Sequence, residues 1–391
     1  MNALRIALLT HSVNPRGGVV HTLELANALT LLGHDVTVFV PAVAGEKLFR
    51  LPSCRVVHAA ITLSQDSTVA MVQARIAAFR QALIEHDAPG FDVLHAQDSI
   101  SGNALADLKD EGRIRGFMRT VHHLDDFENP QLAAWQHRAY EAADTVLCVS
   151  DTWTRNMHAL HGIEAATVPN GVDLTRFTPR TGSHDAQLKQ RFGMRAGPIV
   201  LSVGGIEARK NTLALLDAFA QLRRTFPQAQ LVIAGGASLL DHDAYTRRLL
   251  QRAAELGLAI GPGEAIVVTG PLEDAAMPAL FRSASVLSMV SLREGFGLVV
   301  LEALASGTPV VVSAIAPFTE YLDDTTCYWA DPDSVGSIAS ALRIALSGRD
   351  NAIDFNHAVP ALLARFSWAA SARRHVQAYR GFVAKCVLQT H

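Results

Sequence analysis

Apolar residues in this chain fall into short β-rich runs that alternate with helix-length amphipathic segments. This alternation is typical of a parallel sheet covered by helices. A first series predicts strands at residues 6–9, 36–40, 93–95, 117–121 and 145–149. Between them, helical apolar spacing predicts helices at 20–32, 73–85 and 130–142. The first part of the chain is therefore expected to form one open α/β sheet.

A break in this pattern predicts a domain boundary near residue 170. Turn-forming residues fill positions 168–173, and a polar stretch follows up to Gly197 and Pro198. A second alternating series predicts strands at 199–203, 231–234, 265–269, 286–290 and 310–313. With 391 residues and 49% hydrophobic side chains, the chain suits two domains. The predicted fold class is α/β, with two similar parallel sheets that face each other across a cleft.

Charge and composition argue against several classes of protein. The net charge is −3; residues 1–170 hold 13 basic against 18 acidic side chains (−5), and residues 171–391 hold 21 against 19 (+2). This distribution shows no nucleic-acid footprint. No uncharged apolar stretch approaches the roughly 20 residues that span a bilayer, so we expect a soluble protein without membrane association. The sequence gives no signal for an oligomeric state.

The first residues and the cysteines indicate the cellular compartment of the protein. The apolar run within residues 1–9 is too short for the core of a signal peptide, and we interpret it as the first strand. The four cysteines, Cys54, Cys148, Cys327 and Cys386, lie far apart. Such spacing predicts neither a zinc ribbon nor a disulfide scaffold, and it fits the cytoplasm.

Residues 291–302 combine the features of an anion site. A predicted strand is followed by a turn with Gly295 and Gly297 and then by an apolar helix. The first N–H groups of such a helix have no intrahelical partner, so they suit a phosphate. Glu294 before the helix and Glu302 inside it would meet the hydroxyls of a phosphorylated sugar. The alternative is that both are solvated surface glutamates, but Glu302 has apolar neighbours and needs partners.

Two more loops follow predicted strands, where ligands of open α/β sheets bind. Gly17 and Gly18 open a helix, and their backbone N–H groups could approach a phosphate closely. Arg209 and Lys210 precede another helix and offer a guanidinium and an ammonium for a diphosphate. An ordinary turn and a solvated basic pair are the alternatives. Neither loop has the Gly-x-Gly-x-x-Gly fingerprint, which argues against an NAD-linked oxidoreductase.

Histidines and carboxylates follow two other predicted strands. His122 and His123 precede two aspartates, and His95 and Asp98 follow a neighbouring strand. Their position suggests a functional edge of the sheet, although cap residues and structural histidines are the simpler alternative. Adjacent histidines do not share a face in regular structure, and no His-x3-His or facial triad follows. We predict no metal site.

Taken in order, these motifs resemble those of retaining glycosyltransferases of family 4, which have the GT-B fold of two Rossmann-like domains. The resemblance covers essentially the whole chain. The segments that match the family are the Gly17-Gly18 loop, residues 95–98, 120–122 and 168–173, residues 204–211 with Arg209 and Lys210, and Glu294 followed by Glu302 and residues 303–312. More narrowly, residues 14–22 and 122–127 are similar to a bacterial subfamily named for a mycobacterial member of unassigned substrate.

The resemblance implies roles for the matching residues. Arg209 and Lys210 would bind the donor diphosphate, while Glu302 would bind the ribose. Glu294 would bind the transferred sugar, with His122 beside it at the 6-hydroxyl. His122, Glu294, Arg209 and Lys210 form the implied catalytic set. The remaining implied donor contacts are Gly17, Gly18, Gly270, Pro271, Leu272, Gly295, Phe296, Gly297 and Leu298, and the expected acceptor-side residues are His95, Asp98 and His123.

The resemblance also implies the organisation and the reaction. Residues 1–170 would form an acceptor-side domain and 171–367 a nucleotide-sugar-binding domain, and 368–391 would hold a helix that crosses back onto the first. The expected function is retaining, metal-independent transfer of a sugar from a nucleotide-diphosphate sugar to a glycosyl acceptor, without a cofactor. The alternatives are a sugar-phosphate phosphorylase, a nucleotide-sugar epimerase and a non-catalytic nucleotide-sugar-binding protein. Base, sugar and acceptor have no signature in the sequence.

Overall fold

The computed structural model describes residues 3–61, 67–235, 243–348 and 353–388. The chain divides into two compact units. The first consists of Met1–Gly171 and Phe366–His391, and the second of Val172–Arg365. Among the described residues, the first unit has a seven-stranded sheet and the second a six-stranded sheet, and all strand pairs are parallel. The predicted α/β fold with two Rossmann-like domains is confirmed.

The sheet of the first unit is built on buried aliphatic strands. Its strands are β1 (Arg5–Leu9), β2 (Asp35–Ala42), β3 (Arg55–Ala60), β4 (Val93–Ala96), β5 (Met118–Val121), β6 (Thr145–Cys148) and β7 (Ala165–Thr167). Their order is β3-β2-β1-β4-β5-β6-β7. Ile6 of β1 pairs with Val36 on one side and Val93 on the other. A parallel strand covered on both faces needs such continuous apolar residues.

Five helices of the first unit alternate with these strands. They are α1 (Gly17–Leu31), α2 (Thr68–Glu85), α3 (Ser99–Asp110), α4 (Pro130–Glu141) and α5 (Asp151–His161). Asp98 caps α3 by accepting a hydrogen bond from the Ser101 N–H at 2.8 Å, and Asn129 caps α4 in the same way. These caps explain why each helix begins directly after a strand or loop at the carboxyl edge of the sheet.

The second unit repeats the design. Its strands are β8 (Ile199–Val203), β9 (Gln230–Ala234), β10 (Ile266–Gly270), β11 (Val286–Met289), β12 (Val310–Ser313) and β13 (Tyr328–Ala330), in the order β10-β9-β8-β11-β12-β13. Its helices are α6 (Ser183–Phe192), α7 (Thr212–Leu222), α8 (Asp243–Glu255), α9 (Met277–Ser283), α10 (Leu298–Ala305), α11 (Val335–Ser347) and α12 (Ala358–Arg365). The strands β8 and β11 are neighbours, so the loops that follow them lie side by side.

The last helix, α13 (Trp368–Leu388), belongs to the first unit and packs against α1 and β4. Tyr379 on this helix is fully buried, and the Ser371 hydroxyl donates a hydrogen bond to the Pro169 carbonyl at 2.7 Å. A helix at the end of the chain therefore completes the core of the first unit.

The hydrophobic pattern misses three edge strands and the helices α3 and α5, and it places the starts of α1 and α2 too late, α2 at residue 73 instead of Thr68. β3 is largely solvated on one face, and β7 and β13 are only three residues long, so none has the apolar run of a central strand. α1 begins at Gly17, whereas the pattern places its start at Val20, because two glycines weaken the helical signal. Within the described residues, no helix is long and apolar enough to cross a membrane.

Candidate active site

The loops after β8 and β11 bring three predicted site residues, Arg209, Lys210 and Glu294, together in the second unit. The Leu292 N–H donates a hydrogen bond to the Arg209 carbonyl at 2.8 Å, which joins the two loops through their backbones. Lys210 Nζ donates to Glu294 Oε1 at 2.5 Å, and Arg209 Nη1 donates to the same oxygen at 3.3 Å. The Ser291 hydroxyl adds a third hydrogen bond at 3.0 Å. One carboxylate oxygen therefore holds both cations and a hydroxyl.

Exposure separates the two cations of this cluster. The side chains of Lys210 and Glu294 are 9% and 8% exposed, whereas Arg209 is 45% exposed. A second buried carboxylate, Glu207, forms an ion pair with Arg209, with Oε2 3.1 Å from Nε. Arg209 is thus held between two carboxylates, and much of its guanidinium still faces solvent.

The protonation of the pair follows from burial and charge. Burial alone raises the pKa of Glu294, but the charges of Lys210 and Arg209 and the hydrogen bonds from Lys210 and Ser291 outweigh it, and the pKa of Glu294 lies below its usual value. Burial lowers the pKa of Lys210, and Glu294 opposes that effect. Glu294 is therefore the anionic centre around which the cluster is organised.

Two glycines make this geometry possible. At Gly204, with φ of +120°, a Cβ atom would lie 2.7 Å from Lys210 Cε. At Gly297, the residue before α10, φ is +89° and a Cβ atom would lie 2.5 Å from Phe318 Cε1. Both positions require a residue without a side chain. Gly204 leaves room for the lysine, and Gly297 sets the direction in which α10 begins.

The turn before α10 is fixed by aromatic packing. Phe296 stacks on Tyr321 with ring centroids 5.0 Å apart, and the Tyr321 hydroxyl donates a hydrogen bond to the Phe296 carbonyl at 2.8 Å. No side chain caps α10, and the Val300 N–H donates to the Gly297 carbonyl at 3.0 Å. The contacts of Leu298 and its neighbours with a ligand stay a prediction. Glu302 lies in the second turn of the same helix and is half-buried.

The loop of Gly270, Pro271 and Leu272, which is predicted to lie near the base of the nucleotide, follows β10. Gly270 ends this strand with φ of +66°, Pro271 is exposed and Leu272 is half-buried. Gly270 accepts a backbone hydrogen bond from Gly235, which directly precedes residues outside the described ranges. The contacts of this loop with a base stay a prediction.

In the first unit, the predicted glycine loop lies against His122. Gly17 is exposed at the first position of α1, and a Cβ atom at Gly18 would lie 3.3 Å from His122 Cδ2. The helix has no side-chain cap. His122 therefore sits beside uncapped N–H groups, at the carboxyl edge of the first sheet.

Four histidine rings, three of them fully buried, form a group around His21. The ring of His21, on α1, lies 4.7 Å from that of His122 and 5.6 Å from that of His375, and the His375 ring lies 5.9 Å from that of His95. Burial lowers the pKa of His21 to about 4 and that of His375 to about 3, and it holds the pKa values of His95 and His122 well below their usual range. The group is neutral at physiological pH.

The structure separates the three predicted acceptor-side residues. His95 is fully buried, with hydrogen bonds between its ring and the Thr120 and Tyr379 hydroxyls, both at 2.8 Å. Asp98 caps α3 with one oxygen, and the other lies 3.6 Å from His11 Nδ1. His123 is half exposed and lies 3.5 Å from Asp125. Their roles toward an acceptor stay predictions. Among the described residues, no group of three or more His, Cys, Asp or Glu side chains is arranged to hold a metal ion.

Several residues that organise these clusters do not stand out in the sequence. Glu207 and Ser291 support the charged cluster, and Gln97, His375 and Tyr379 support the histidines. Gln97 lies between the noted His95 and Asp98, which is the one local signal. His375 and Tyr379 are four residues apart on a helix and share a face, but only the tertiary structure brings that face to β4.

Comparison with known proteins agrees with this architecture. Residues 15–176 match the family model described as Glycosyltransferase Family 4, and residues 187–359 match the model described as Glycosyl transferases group 1. The first match covers most of the first unit, including the glycine loop and His21, His95 and His122. The second covers both carboxylates and both cations of the charged cluster.

Individual proteins extend the likeness over the full length. A D-inositol 3-phosphate glycosyltransferase of Corynebacterium urealyticum is 26% identical, and the alignment covers 96% of this chain and 95% of that protein. A sucrose-phosphate synthase of Thermosynechococcus elongatus has a TM-score of 0.79 at 22% identity, covering 98% of this chain and 100% of that one. HepE of Anabaena, solved in complex with UDP-glucose, has a TM-score of 0.76 at 18% identity, with coverages of 97% and 100%. The two solved structures share the fold.

Proposed function

Because the chain belongs to the glycosyltransferases, with a family 4 domain followed by a group 1 domain, we propose that it moves a sugar from a nucleotide-diphosphate sugar to a hydroxyl of an acceptor. The observation that carries the proposal is the cluster of Arg209, Lys210 and Glu294 on the loops after β8 and β11. A diphosphate needs cations held in fixed positions, and a sugar needs a carboxylate that accepts its hydroxyls. The cluster supplies both.

The donor diphosphate would replace Glu294 as the partner of one of the two cations. Arg209 is tethered by Glu207 through Nε while its Nη1 contacts Glu294. A phosphate oxygen can take the place of Glu294 on either cation without ordering a new side chain, which limits the entropic cost. Glu294, released from one partner, can then accept hydrogen bonds from sugar hydroxyls. Glu302 would bind the ribose, as the family resemblance implies.

The reaction would depend on stabilising negative charge on the leaving group. As the bond between the anomeric carbon and the diphosphate oxygen breaks, Lys210, Arg209 and the first N–H groups of α10 would neutralise the departing diphosphate. The acceptor oxygen forms the new glycosidic bond, and its proton passes to the leaving diphosphate. This front-face route would retain the anomeric configuration without a carboxylate nucleophile. We propose that no metal ion takes part, because side chains and backbone supply the neutralising charge.

For the first unit we propose the acceptor side and one sugar contact. His122, next to Gly18, keeps the role that the family resemblance gives it, a contact with the 6-hydroxyl of the transferred sugar. A neutral imidazole is suited to that task because it exchanges hydrogen bonds with a hydroxyl without adding charge.

The proposal is tested by incubating the full chain with UDP-, GDP- and ADP-glucose and a chelator, with D-inositol 3-phosphate as the first acceptor because relatives are named for it. We expect release of one nucleoside diphosphate and a product with the donor's anomeric configuration, detected by mass spectrometry and NMR. Release of inorganic phosphate would instead indicate a phosphorylase, and an altered free nucleotide sugar an epimerase. Absence of binding and turnover for all three donors, in a folded sample, would contradict the proposal.

A further inference from the structure

A line of hydrogen bonds connects α13 with His122 inside the first unit. The Tyr379 hydroxyl lies 2.8 Å from His95 Nδ1, and Gln97 Nε2 lies 3.3 Å from the same nitrogen. The other end of the amide, Gln97 Oε1, lies 3.1 Å from His122 Nε2. His95 Nε2 lies 2.8 Å from the Thr120 hydroxyl. Gln97 is buried, so its amide groups depend on these partners.

The Gln97 amide determines which way the protons point along this line. Its NH₂ group faces His95 Nδ1 at 3.3 Å and can only donate, so that nitrogen carries no proton. The Tyr379 hydroxyl, which burial keeps protonated by raising its pKa, therefore donates to the same nitrogen. The Gln97 carbonyl oxygen therefore faces His122 Nε2, and His122 must donate to it.

The consequence lies at the other nitrogen of the His122 ring. A neutral imidazole has one proton, and here Nε2 carries it, so Nδ1 presents a lone pair. Within the described part of the chain, no group forms a hydrogen bond with His122 Nδ1, and the residue is partly exposed. His122 thus offers Nδ1 as an acceptor nitrogen, while Cδ2 and Nε2 form the ring edge nearest Gly18.

We propose that Gln97 is a positioning residue that holds His122 as the Nε2–H tautomer, so that Nδ1 accepts a hydrogen bond from a hydroxyl of the transferred sugar. The inference rests on the proposed function, because His122 is taken to contact that sugar. It adds a requirement: the sugar must present a hydroxyl donor at this point. A carboxylate at the same carbon would present only lone pairs to Nδ1.

The surroundings of His122 oppose the protonated alternative. Burial is the largest effect, and His21 from α1, Arg119 from β5, the adjacent His123 and His95 from β4 all disfavour a positive charge on the ring. No carboxylate acts on His122 among these groups. A carboxylate introduced at position 97 would reverse this balance, because an opposite charge in contact favours the imidazolium.

The test is long-range ¹H–¹⁵N NMR of the full chain labelled at histidine nitrogens, with His122→Ala to assign the ring. At neutral pH we expect the proton on Nε2 of His122. In Gln97→Met and Tyr379→Phe, which remove the acceptor and the hydroxyl that orients it, we expect a mixture of tautomers. A proton on Nδ1 in the unaltered chain, or the same tautomer in both variants, would overturn the inference.

Gln97→Glu separates positioning from mere packing. We expect the pH at which His122 titrates to rise by at least one unit, and transfer near neutral pH to fall at least fivefold and recover at higher pH. Transfer with an unchanged pH profile would overturn the inference. The NMR experiment needs no donor or acceptor, so if no sugar is transferred, the proposed function fails while the tautomer still decides the role of Gln97.

Discussion

The two units carry polar clusters at the same place in the fold, beyond the carboxyl ends of their strands, but with opposite chemistry. In the second unit, Lys210 and Arg209 surround the Glu294 carboxylate. In the first unit, histidine rings packed around His21 are kept neutral by burial. The comparison indicates a division of work. In the proposed function, the second unit exchanges ion pairs with a charged ligand, and the first presents neutral hydrogen-bonding groups.

The largest expected difference between the units is their response to acid. His21 has a folded pKa of about 4, against an ordinary histidine value of 6.5, so between these values the unfolded chain binds a proton that the folded chain does not. Stability of the first unit should therefore fall as pH drops from 6.5 to 4, by about 3 kcal/mol for this residue alone. Glu294 has a lowered pKa, so its contribution is lost only as pH falls below 4.5.

Hydrogen exchange resolved by peptide, corrected for intrinsic rates, checks this difference. Between pH 7 and pH 5, segments of α1 and α13 should lose protection, while those of β8 and α10 should lose less. His21→Gln should reduce the pH dependence of the first unit. Equal loss in both units, or an unaltered slope in His21→Gln, would contradict the histidine account.

The next largest effect is expected from the backbone of the charged cluster. Gly297→Ala would force a Cβ atom to within 2.5 Å of Phe318 Cε1 at a φ of +89°, and we expect a loss of about 2 kcal/mol of unfolding free energy. Urea unfolding measures it. Gly336→Ala is the matched control, because its Cβ atom would only approach Ser334 Oγ at 3.9 Å, and it should leave stability unchanged or slightly raised. Equal stability of the two variants would argue against a constrained turn.

Removal of either partner of the buried ion pair, Lys210 or Glu294, tests whether the charged cluster of the second unit is needed for activity. Lys210→Ala and Glu294→Ala should each reduce kcat/KM for transfer at least tenfold, or about 1.4 kcal/mol, because in the proposed function they remove a phosphate contact and a sugar contact. Circular dichroism and thermal unfolding check that the variants fold. Lys189→Ala, on the exposed side of α6, is the control and should retain activity. Unchanged turnover in both folded variants would refute the assigned site.

The smallest effect is expected from the tether of the exposed guanidinium. Glu207→Gln keeps a hydrogen-bond acceptor near Arg209 Nε but removes the buried charge that holds it. We expect KM for the donor to rise two- to fivefold with kcat nearly constant, since Arg209 would still reach the diphosphate. Steady-state kinetics with varied donor concentration separates the two constants. A larger fall in kcat than in donor affinity would give Glu207 a different role.

Much of the fold was predictable because central strands and their helices have strong apolar patterns. The strand around Ile6 was placed within one residue, and the loops after β8 and β11 were recognised from Arg209, Lys210 and Glu294. The edge strands were not predicted, because one face is solvated or the strand is short. The supporting residues were not predicted for another reason. Glu207, Gln97 and Tyr379 belong to clusters whose contacts join segments far apart in sequence. A local pattern contains no record of such partners.

Binding of nucleoside diphosphates tests the central claim most directly, because it needs no acceptor. Isothermal titration of the full chain with UDP, GDP and ADP, in the presence of a chelator, should show binding of one of them. Its affinity should fall at least tenfold in Lys210→Ala and stay unchanged in Lys189→Ala. Absence of binding by all three with folded protein, or equal affinity in Lys210→Ala, would contradict a metal-independent diphosphate site on the loops after β8 and β11.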